Sequence, residues 1–558
     1  MQSPQNRNEE GCHQPPSPAK EVTHASKSPQ LCAVHRMPPE LLGIIFENCL
    51  NEQASPVALS EPPLLLGRIC SHWRIISQNH RRLWTSFSLR FLETNVDRSR
   101  DGIKVAKAVE TWLQRSYPAQ LSIAFTDNRI FQKDTEDVVI WLLSRICMHA
   151  PRWEAIHLKF SSDYFVQLAE LSSRAFTSLT SFSVHVDHMG WRRGLFSLHL
   201  DLAQANRLNS LAYTGPDHVV REDILVDWAR LTSIAFSYDL HESGGQTATL
   251  PRHFSTLALC QNLTELSIGL STTLVQPMHP LDAMAQGQMF ELPRLHTLRV
   301  RRLSRSAHAC ALLDVLRLPL LSTLDIDSAV LTGWDAFLLS HPDSPPPFHM
   351  QVHTLTHWWH AHHFSALLDR SGCHLHTLCI RDVDMSPSEL ACLLTSPNIS
   401  PTLSTFTFEP FPRTCPISDV LAYLISIPGL ESTSVPSPSP SPTSSLISGL
   451  HSISGPTSSF PRLTRLRLGC AHEVHLDLLA DMIESRTGDR AMQAGIYPLS
   501  IFELVFYDFV YSRERGRSLR KVCFDAFKER VLTCAREGGV DVDIKVKRPY
   551  EPVYLEVP

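Results

Sequence analysis

Apolar residues recur in the middle of this chain in short groups that share one internal spacing. In each group, a large apolar residue is followed by a second three positions later and a third two positions after that, as in Leu295, Leu298 and Val300. Because side chains alternate between the faces of a strand, such a group predicts a short strand with one buried face. The groups begin at Trp153 (a degenerate copy), Leu179, Leu208, Leu231, Leu263, Leu295, Leu321, Leu375, Leu403 and Leu463.

The stretches between these groups carry helix signals. Ser386 and Glu389 form a potential capping box with Pro387 at the first helical position. Leucines at helical spacing follow two other groups, at Leu312, Leu313 and Leu316 and at Leu478, Leu479, Met482 and Ile483. Strands that alternate with covering helices predict an α/β fold with parallel strands on one face and helices on the other.

The period of the groups resembles that of the leucine-rich-repeat family. Successive groups begin 23 to 32 residues apart, except for two longer steps that each contain a blurred or enlarged copy. The resemblance implies a solenoid. Regular members carry Asn shortly after the motif, whereas the equivalent positions here hold Ser271, Leu303, Val383 and Ala471. We therefore expect an irregular leucine-rich-repeat solenoid.

A segment with helical periodicity precedes the repeats. Pro39 and Glu40 suit a first helical turn, and the apolar face that follows contains Leu41, Leu42, Ile45, Phe46, Cys49 and Leu50. A second helix is predicted to carry Leu65, Leu66, Ile69, Cys70, Trp73 and Ile76 on one face. A short turn with Leu83 and Trp84 then leads into a strand with alternating Phe87, Leu89 and Phe91.

Three helices of about fifty residues bury little core by themselves, so we expect a partner helix to cover their remaining apolar surface. The segment resembles an F-box, which reads L-P-x-E-L-L-x-x-I-F, then V-C-x-x-W-R and a terminal L-W. The matching residues are Pro38, Glu40, Leu41, Leu42, Ile45, Phe46, Ile69, Cys70, Trp73, Arg74, Leu83 and Trp84. Met37 replaces the usual Leu, and Ile69 the usual Val.

This resemblance implies that the three-helix F-box docks on a Skp-type linker protein, and through it on cullin and RING subunits. The F-box core and linker interface would comprise Pro38, Leu41, Leu42, Ile45, Phe46, Ile69, Cys70, Trp73 and Trp84. The alternative is a small helical cap on the repeats that has no partner.

The repeats also carry candidate target-facing residues. If neighbouring strands are in register, Arg299 lies beside Asp325 and Arg301 beside Asp327, with Arg381 nearby. These five side chains are a candidate polar patch for reading a target protein. The commoner alternative is that they neutralise one another in surface pairs, each contributing about 0–1 kcal/mol.

No catalytic, cofactor-binding or metal site is predicted. The chain lacks the nucleophile-elbow, phosphate-loop, dinucleotide and zinc-protease motifs. His360 and His363 share a helix face in the predicted pattern, but no third ligand accompanies them, so we interpret them as packing and surface residues. None of the 14 cysteines forms a CxxC pair, and we expect them to behave mostly as small hydrophobes.

Composition and charge argue against some classes of partner and some cellular compartments. The net charge of -5 argues against general nucleic-acid binding and against a basic membrane-surface protein. The N-terminus lacks an apolar signal core, and no apolar stretch is long enough to cross a bilayer. We therefore expect a cytoplasmic or nuclear protein.

The expected domains are a disordered tail at 1–35, an F-box at 36–91, a linker helix and first strand at 92–150, a leucine-rich-repeat-like solenoid at 151–548 with a disordered Ser/Pro insert at 432–459, and a tail at 549–558. The expected function is that of a non-catalytic substrate-recognition subunit of a Skp–cullin–F-box type ubiquitin ligase. The alternatives are a repeat scaffold without a ligase role and, as the weakest, a cryptic hydrolase.

Overall fold

The computed structural model describes parts of the chain between residues 33 and 547. Apart from single residues between them, the described ranges are 33–50, 60–91, 98–127, 136–161, 173–187, 200–215, 224–240, 256–272, 289–301, 313–327, 361–381, 385–409, 460–470, 476–487, 496–507, 528–533 and 535–547. The predicted insert at 432–459 and tail at 549–558 lie outside these ranges, as does the predicted N-terminal tail up to residue 32.

The strands of these ranges are mostly parallel neighbours in one long sheet. In chain order they are β1 (Ser86–Phe91), β2 (Leu121–Asp127), β3 (Trp153–Ser161), β4 (Ser181–Asp187), β5 (Leu200–Asp201), β6 (Ser210–Gly215), β7 (Ile224–Leu225), β8 (Ser233–Leu240), β9 (Glu265–Thr272), β10 (Phe290–Glu291), β11 (Thr297–Arg301), β12 (Leu316–Arg317), β13 (Thr323–Asp327), β14 (Thr377–Arg381), β15 (Thr405–Glu409), β16 (Arg465–Cys470), β17 (Ile501–Tyr507) and β18 (Asp541–Lys547). Within the described residues, fourteen of them form one sheet in chain order, while β5 pairs with β7 and β10 with β12.

Each predicted apolar group lies at one of these strands, which confirms the prediction of parallel strands with one buried face. Leu298 and Val300 are buried in β11, and Leu295 is buried just before it. The register aligns equivalent positions of successive groups, so that Leu298 lies opposite Leu324 and Val300 opposite Ile326. Burial of the same positions in every strand builds one continuous apolar layer.

Helices occupy several of the connections between strands. They are α1 (Pro39–Glu47), α2 (Leu66–Ile69), α3 (Ser71–Asn79), α4 (Arg98–Arg115), α5 (Glu136–Cys147), α6 (Ala361–Ser371), α7 (Pro387–Leu394) and α8 (Leu476–Ser485). The predicted capping box is confirmed at α7, where Ser386 Oγ accepts from Glu389 N at 3.3 Å and Glu389 Oε2 accepts from Ser386 N at 3.0 Å. Across the described ranges, none of the helices combines the length and hydropathy needed to cross a membrane.

One prediction about an element boundary was wrong. Leu316 does not continue a helix from Leu313, because it lies in β12 and pairs with Phe290 of β10. Backbone pairing with the neighbouring repeat overrides the local helical spacing of the leucines. The predicted strand with Phe87, Leu89 and Phe91 does begin the sheet, because β1 and β2 pair in parallel with each other and β2 pairs with β3.

A row of hydroxyl groups links successive strands at the residue that follows the first apolar position of each repeat. Thr264 Oγ1 donates to Thr232 O at 2.9 Å, and Ser404 Oγ donates to His376 O at 3.0 Å. The same contact recurs from the residue that follows the first apolar position in other groups, namely from Thr180, Thr232, Ser322, Thr464 and Ser500. These bonds extend the backbone ladder by one side-chain contact per repeat.

The C-terminal strand forms one edge of the sheet, as its alternating pattern predicts. Gly539 has φ +67°, a left-handed conformation that ends the preceding helical residues. Val540 is buried, and β18 then pairs in parallel with β17 as the last strand in the order. The charged residues of β18 protect this open edge from further pairing.

The hydroxyl row predicts a measurable loss when one hydroxyl is replaced by a methyl group. Thr264→Val should lower the free energy of unfolding by about 0.5–1.5 kcal/mol, because the shape is kept and one hydrogen bond is lost. Urea unfolding measures the change. Thr264→Ser keeps the donor and should stay close to the parent protein, and a Val variant as stable as the Ser variant would contradict the proposed contribution.

Candidate functional site

The N-terminal helices are packed onto the sheet through aromatic side chains. The Phe46 ring of α1 lies 4.8 Å from the Trp73 ring of α3. Trp84 packs edge-on against Trp112 of α4 with ring centroids 5.0 Å apart, and its Nε1 donates to Ser77 O at 2.7 Å. Phe46, Trp84 and Trp112 belong to the hydrophobic cluster that also contains the buried strand residues. The helices and the sheet therefore share one continuous hydrophobic cluster.

The predicted second helix is divided at Cys70, so the prediction of one continuous helix was wrong. Cys70 has an extended backbone (φ -154°, ψ 171°), which ends α2 at Ile69 and starts α3 at Ser71. The Cys70 Sγ accepts a hydrogen bond from Trp73 N at 3.4 Å and so caps α3. The break leaves Ile69 exposed while Trp73 is partly buried against Phe46.

A close approach between α1 and the turn Arg81–Trp84 holds the helical segment together. His80 Nε2 lies 2.5 Å from Glu47 Oε1, and Arg82 Nη1 lies 3.6 Å from Glu47 Oε2. Gly43 permits this approach, since a Cβ at that position would lie 2.7 Å from ring atoms of His80. The glycine is therefore required by the packing of α1 against His80 rather than by a turn.

The opposite side of the same segment exposes large aliphatic residues. Leu41 and Ile45 lie one helical turn apart on α1 and are 50% and 43% exposed. We call the full set the N-terminal apolar surface: Leu41, Ile44, Ile45, Leu65, Ile69 and Ile75. Six exposed aliphatic side chains lie within one short helical segment, and exposed apolar patches mark interaction sites.

The structure divides the predicted F-box residues between core and surface. Leu42, Phe46 and Trp84 are buried, and Cys70 and Trp73 are partly buried. The exposed ones are Pro38, Leu41, Ile45 and Ile69. The predicted set did not include three members of the surface, Ile44, Leu65 and Ile75. The sequence signal that could have identified these three residues is an apolar side chain on the side of a helix that faces away from its buried residues.

The open face of the sheet, opposite the apolar layer, carries charges of alternating sign on seven successive strands. One residue from each strand forms what we call the charge row: Glu265, Arg299, Asp325, Arg381, Glu409, Arg467 and Glu503. Asp325 and Glu409 are buried at 8% and 6% exposure. Opposite charges on adjacent strands stabilise a sheet, whereas like charges directly opposite destabilise it.

Every member of the charge row takes part in an ion pair. Arg299 Nη1 lies 3.2 Å from Glu265 Oε2, and Arg381 Nη1 lies 3.1 Å from Asp325 Oδ1. Arg467 makes two further pairs. Its Nε lies 2.6 Å from Glu409 Oε1, and its Nη1 lies 3.1 Å from Glu503 Oε2. Each carboxylate of the row thus has an arginine of this chain as its counter-ion, and Arg467 serves two of them.

The five candidate target-facing residues do lie together on adjacent strands. Arg299 lies opposite Asp325 and Arg301 opposite Asp327, as the predicted register requires. The ion pair of Arg299, however, is made with Glu265 rather than with Asp325, which pairs with Arg381 instead. Burial lowers the pKa of the Arg381 guanidinium, but neighbouring Asp325 and other negative groups outweigh burial and raise that pKa.

Titratable groups elsewhere are engaged in packing. Burial raises the pKa of the Cys147 and Cys260 thiols to about 12, which keeps both protonated and unreactive near neutral pH. His363 Nδ1 lies 2.6 Å from Asp314 Oδ1, and its predicted companion His360 lies outside the described residues. Where side chains are described, no group of three or more His, Cys, Asp or Glu is arranged to hold a metal ion.

No family model matches this chain, and no curated protein matches its sequence. What the protein binds must therefore be inferred from the N-terminal apolar surface and the open face of the sheet. The N-terminal apolar surface consists of aliphatic side chains on helices, whereas the open face of the sheet presents polar side chains on strands. Two surfaces of such different chemistry suit two different partners.

The packing of Gly43 against His80 predicts a reversal of helix propensity. Ala normally stabilises a helix interior relative to Gly by about 1 kcal/mol, yet Gly43→Ala should destabilise this protein because its Cβ meets the His80 ring. Thermal unfolding of Gly43→Ala, His80→Ala and the double variant measures the coupling. In the His80→Ala background, Gly43→Ala should become neutral or stabilising; a stabilising effect in the parent protein would refute the contact.

The charge row predicts a second coupling. Arg467→Gln should destabilise the protein by about 1–3 kcal/mol, because the buried Glu409 carboxylate loses its cation. Arg465→Gln is the matched control on the same strand, since Arg465 is exposed, and it should change stability by less than about 0.5 kcal/mol. Adding Glu409→Gln to Arg467→Gln should restore part of the loss in urea unfolding; equal losses in both Arg variants would show that the ion pair contributes nothing.

Proposed function

We propose that this chain is a non-catalytic substrate-recognition subunit of a Skp–cullin–F-box type ubiquitin ligase. In this proposal, helices α1–α3 and the turn Arg81–Trp84 are an F-box, and the long parallel sheet belongs to an irregular leucine-rich-repeat solenoid that binds the target. The observation that carries the proposal is the N-terminal apolar surface, which stays exposed although its helices are anchored to the sheet.

The division of apolar residues within α1 supports this proposal. Leu42 and Phe46 hold the helix on the core, so Leu41, Ile44 and Ile45 are not needed for its attachment. Six aliphatic side chains left near half exposed are costly in water, and a partner helix that covered them would recover roughly 1 kcal/mol from each. Helix-in-groove binding by residues at i, i+3 and i+4 fits the spacing of these three.

The proposed role of the sheet is to bring a target close to chemistry performed elsewhere. Under this proposal, the linker protein joins the F-box to the cullin and RING subunits, which carry out ubiquitin transfer. The hydrophobic cluster that the helices share with the sheet supports such a role, because a defined geometry raises the effective concentration of the target at the transfer site. The proposal requires no catalytic residue in this chain.

The surface variant Leu41→Asp with Ile45→Asp should abolish co-purification with the Skp-type linker. Both side chains are about half exposed, so the protein should remain folded, whereas Phe46→Ala would empty a fully buried position at a cost of about 3–5 kcal/mol. The matched control is Leu259→Asp with Leu320→Asp, two leucines of similar exposure outside this surface. Linker binding that survives in the first variant, or is lost equally in the control, would refute the proposal.

Recruitment of the cullin separates the proposed ligase role from that of a repeat scaffold. Parent protein that co-purifies with both linker and cullin supports a ligase subunit. Binding of the linker without the cullin would favour a scaffold that uses its F-box outside a ligase. The Leu41→Asp, Ile45→Asp variant should lose both proteins together, because the cullin is reached only through the linker.

A further inference from the structure

The last strand in the order of the long sheet keeps its inward side chains partly exposed. Val542 and Ile544 of β18 occupy the register positions of Phe502 and Leu504 on β17. The two β17 side chains are fully buried, whereas Val542 and Ile544 are only partly buried at the end of the apolar layer. A further strand beside β18 would cover them and extend that layer.

Alternate residues of β18 direct their backbone groups away from β17. Asp541 N donates to Ser500 O at 2.8 Å, and in a parallel pair every second residue of a strand bonds to the same neighbour. The odd-numbered residues of β18 therefore face β17, while the N–H and C=O groups of the even-numbered residues, including Ile544, point to the outer edge. Such a row of backbone groups is a template for pairing with another strand.

The alternating signs of the charge row do not continue into β18. Glu503 lies directly opposite Asp543, so that two carboxylates stand at neighbouring positions. Arg467 pairs with Glu503 and also with Glu409, while Asp543 pairs with Lys545 of its own strand at 2.6 Å. The side chains of Lys545 and Asp543 remain 52% and 47% exposed. A cation on the outer side of Asp543 would restore the alternation across the sheet.

We propose that β18 pairs in antiparallel orientation with β18 of a second copy of this chain, about a two-fold axis at Ile544. In this register, Asp543 of each copy lies directly opposite Lys545 of the other. These positions make no backbone hydrogen bonds to the second copy, and opposing side chains are closest at such positions. The outward backbone groups of Ile544 form the central hydrogen-bonded pair. A two-fold interface of this kind closes as a dimer.

The order of charges along β18 selects a second copy in this one register. The outward-facing charges change from acidic at Asp541 and Asp543 to basic at Lys545. A copy aligned in parallel would place Asp543 opposite Asp543 and Lys545 opposite Lys545, which is destabilising. The antiparallel copy reverses the order and places each charge opposite its counter-ion. The charges that protect this edge from other strands therefore admit a strand with its own sequence.

The proposed dimer goes beyond the proposed ligase role, because it forms without a linker protein. Directly opposite residues of an antiparallel pair point to the same face of a sheet, so the open faces of the two copies lie on the same side. The N-terminal helices lie near β1, at the other end of the strand order. If the open face binds targets, a target with two matching segments would bind the dimer more tightly than it binds a single copy.

Sedimentation velocity of the full chain over a concentration series tests the proposal. The reference protein carries Leu41→Asp with Ile45→Asp, so that self-association through the N-terminal apolar surface is removed. It should show a reversible monomer–dimer equilibrium between about 1 and 100 µM. Lys545→Asp or Asp543→Lys, each added alone, should weaken the dimer by about tenfold or more, because the two-fold axis makes each reversal affect two charge pairs.

The matched controls make the same changes of charge outside the strand. Lys528→Asp and Glu529→Lys lie at exposed helical positions before β18. Each should leave the dimer within about twofold of the reference protein, because the proposed interface contains neither residue. The comparison separates charge pairing at β18 from the effect of net charge on association.

Mixing the two strand variants gives a test that misfolding does not imitate. Lys545→Asp leaves two acidic residues at the interface, and Asp543→Lys leaves two basic residues. A mixed dimer therefore places each acid opposite a base. Labelled Lys545→Asp protein should bind unlabelled Asp543→Lys protein at least about tenfold more tightly than either variant binds itself, as measured by fluorescence anisotropy.

A reference protein that stays monomeric up to about 100 µM would overturn the proposal. A dimer that both strand variants leave unchanged would also overturn it, since the contact would then lie elsewhere. The same holds for a dimer that the variants abolish and that mixing does not restore. All these measurements lack the linker protein and carry the changes at Leu41 and Ile45, so their outcome is independent of the linker experiment.

Discussion

Each strand of the long sheet must hydrogen-bond to the strand before it in parallel and in register, and the other features follow from this constraint. Leu298 stacks on Leu324 because Thr297 is held opposite Thr323. The Ser and Thr hydroxyls that bond back to the previous repeat reinforce this alignment at the position before each strand. Once the register is set, the buried positions form one apolar layer without further specification.

The same alignment also places outward side chains directly beside one another. Like charges in such positions repel, so a charged open face must alternate in sign or dilute its charges with small residues. The C-terminal strands alternate, as where Arg381 lies opposite Glu409. The N-terminal strands separate Arg90 from Lys159 by Thr126.

The N-terminal helices combine a firm attachment with an exposed apolar side. Trp84 packs against Trp112 of α4, outside the segment, while Phe46 packs against Trp73 within it. The extended backbone at Cys70 lets α2 and α3 take different directions. A receptor that must hold a target at a set distance from its catalytic partners benefits from such an attachment, which is why the packing of these helices bears on the proposed function.

Much of the fold could be read from local patterns, while the pairing of particular residues could not. Apolar spacing predicted the strands at Leu298 and Leu324, and the capping box predicted the start of α7. The strand at Leu316 was missed because its partner, Phe290, lies in another repeat. The ion pair of Arg299 with Glu265 was missed for a similar reason, since the register alone pointed to Asp325.

The sequence by itself determined which residues are buried in each strand, because alternation and periodicity are local properties of the chain. It also determined that the helices near the N-terminus carry more apolar residues than they can bury among themselves. Only the tertiary structure decided which of these residues face solvent, since Phe46 and Trp84 are buried by contacts with other elements, at Trp73 and Trp112. The tertiary structure also decided which charges pair. An arginine on one strand can reach carboxylates on either neighbouring strand, and the distance and burial of those carboxylates depend on other parts of the chain.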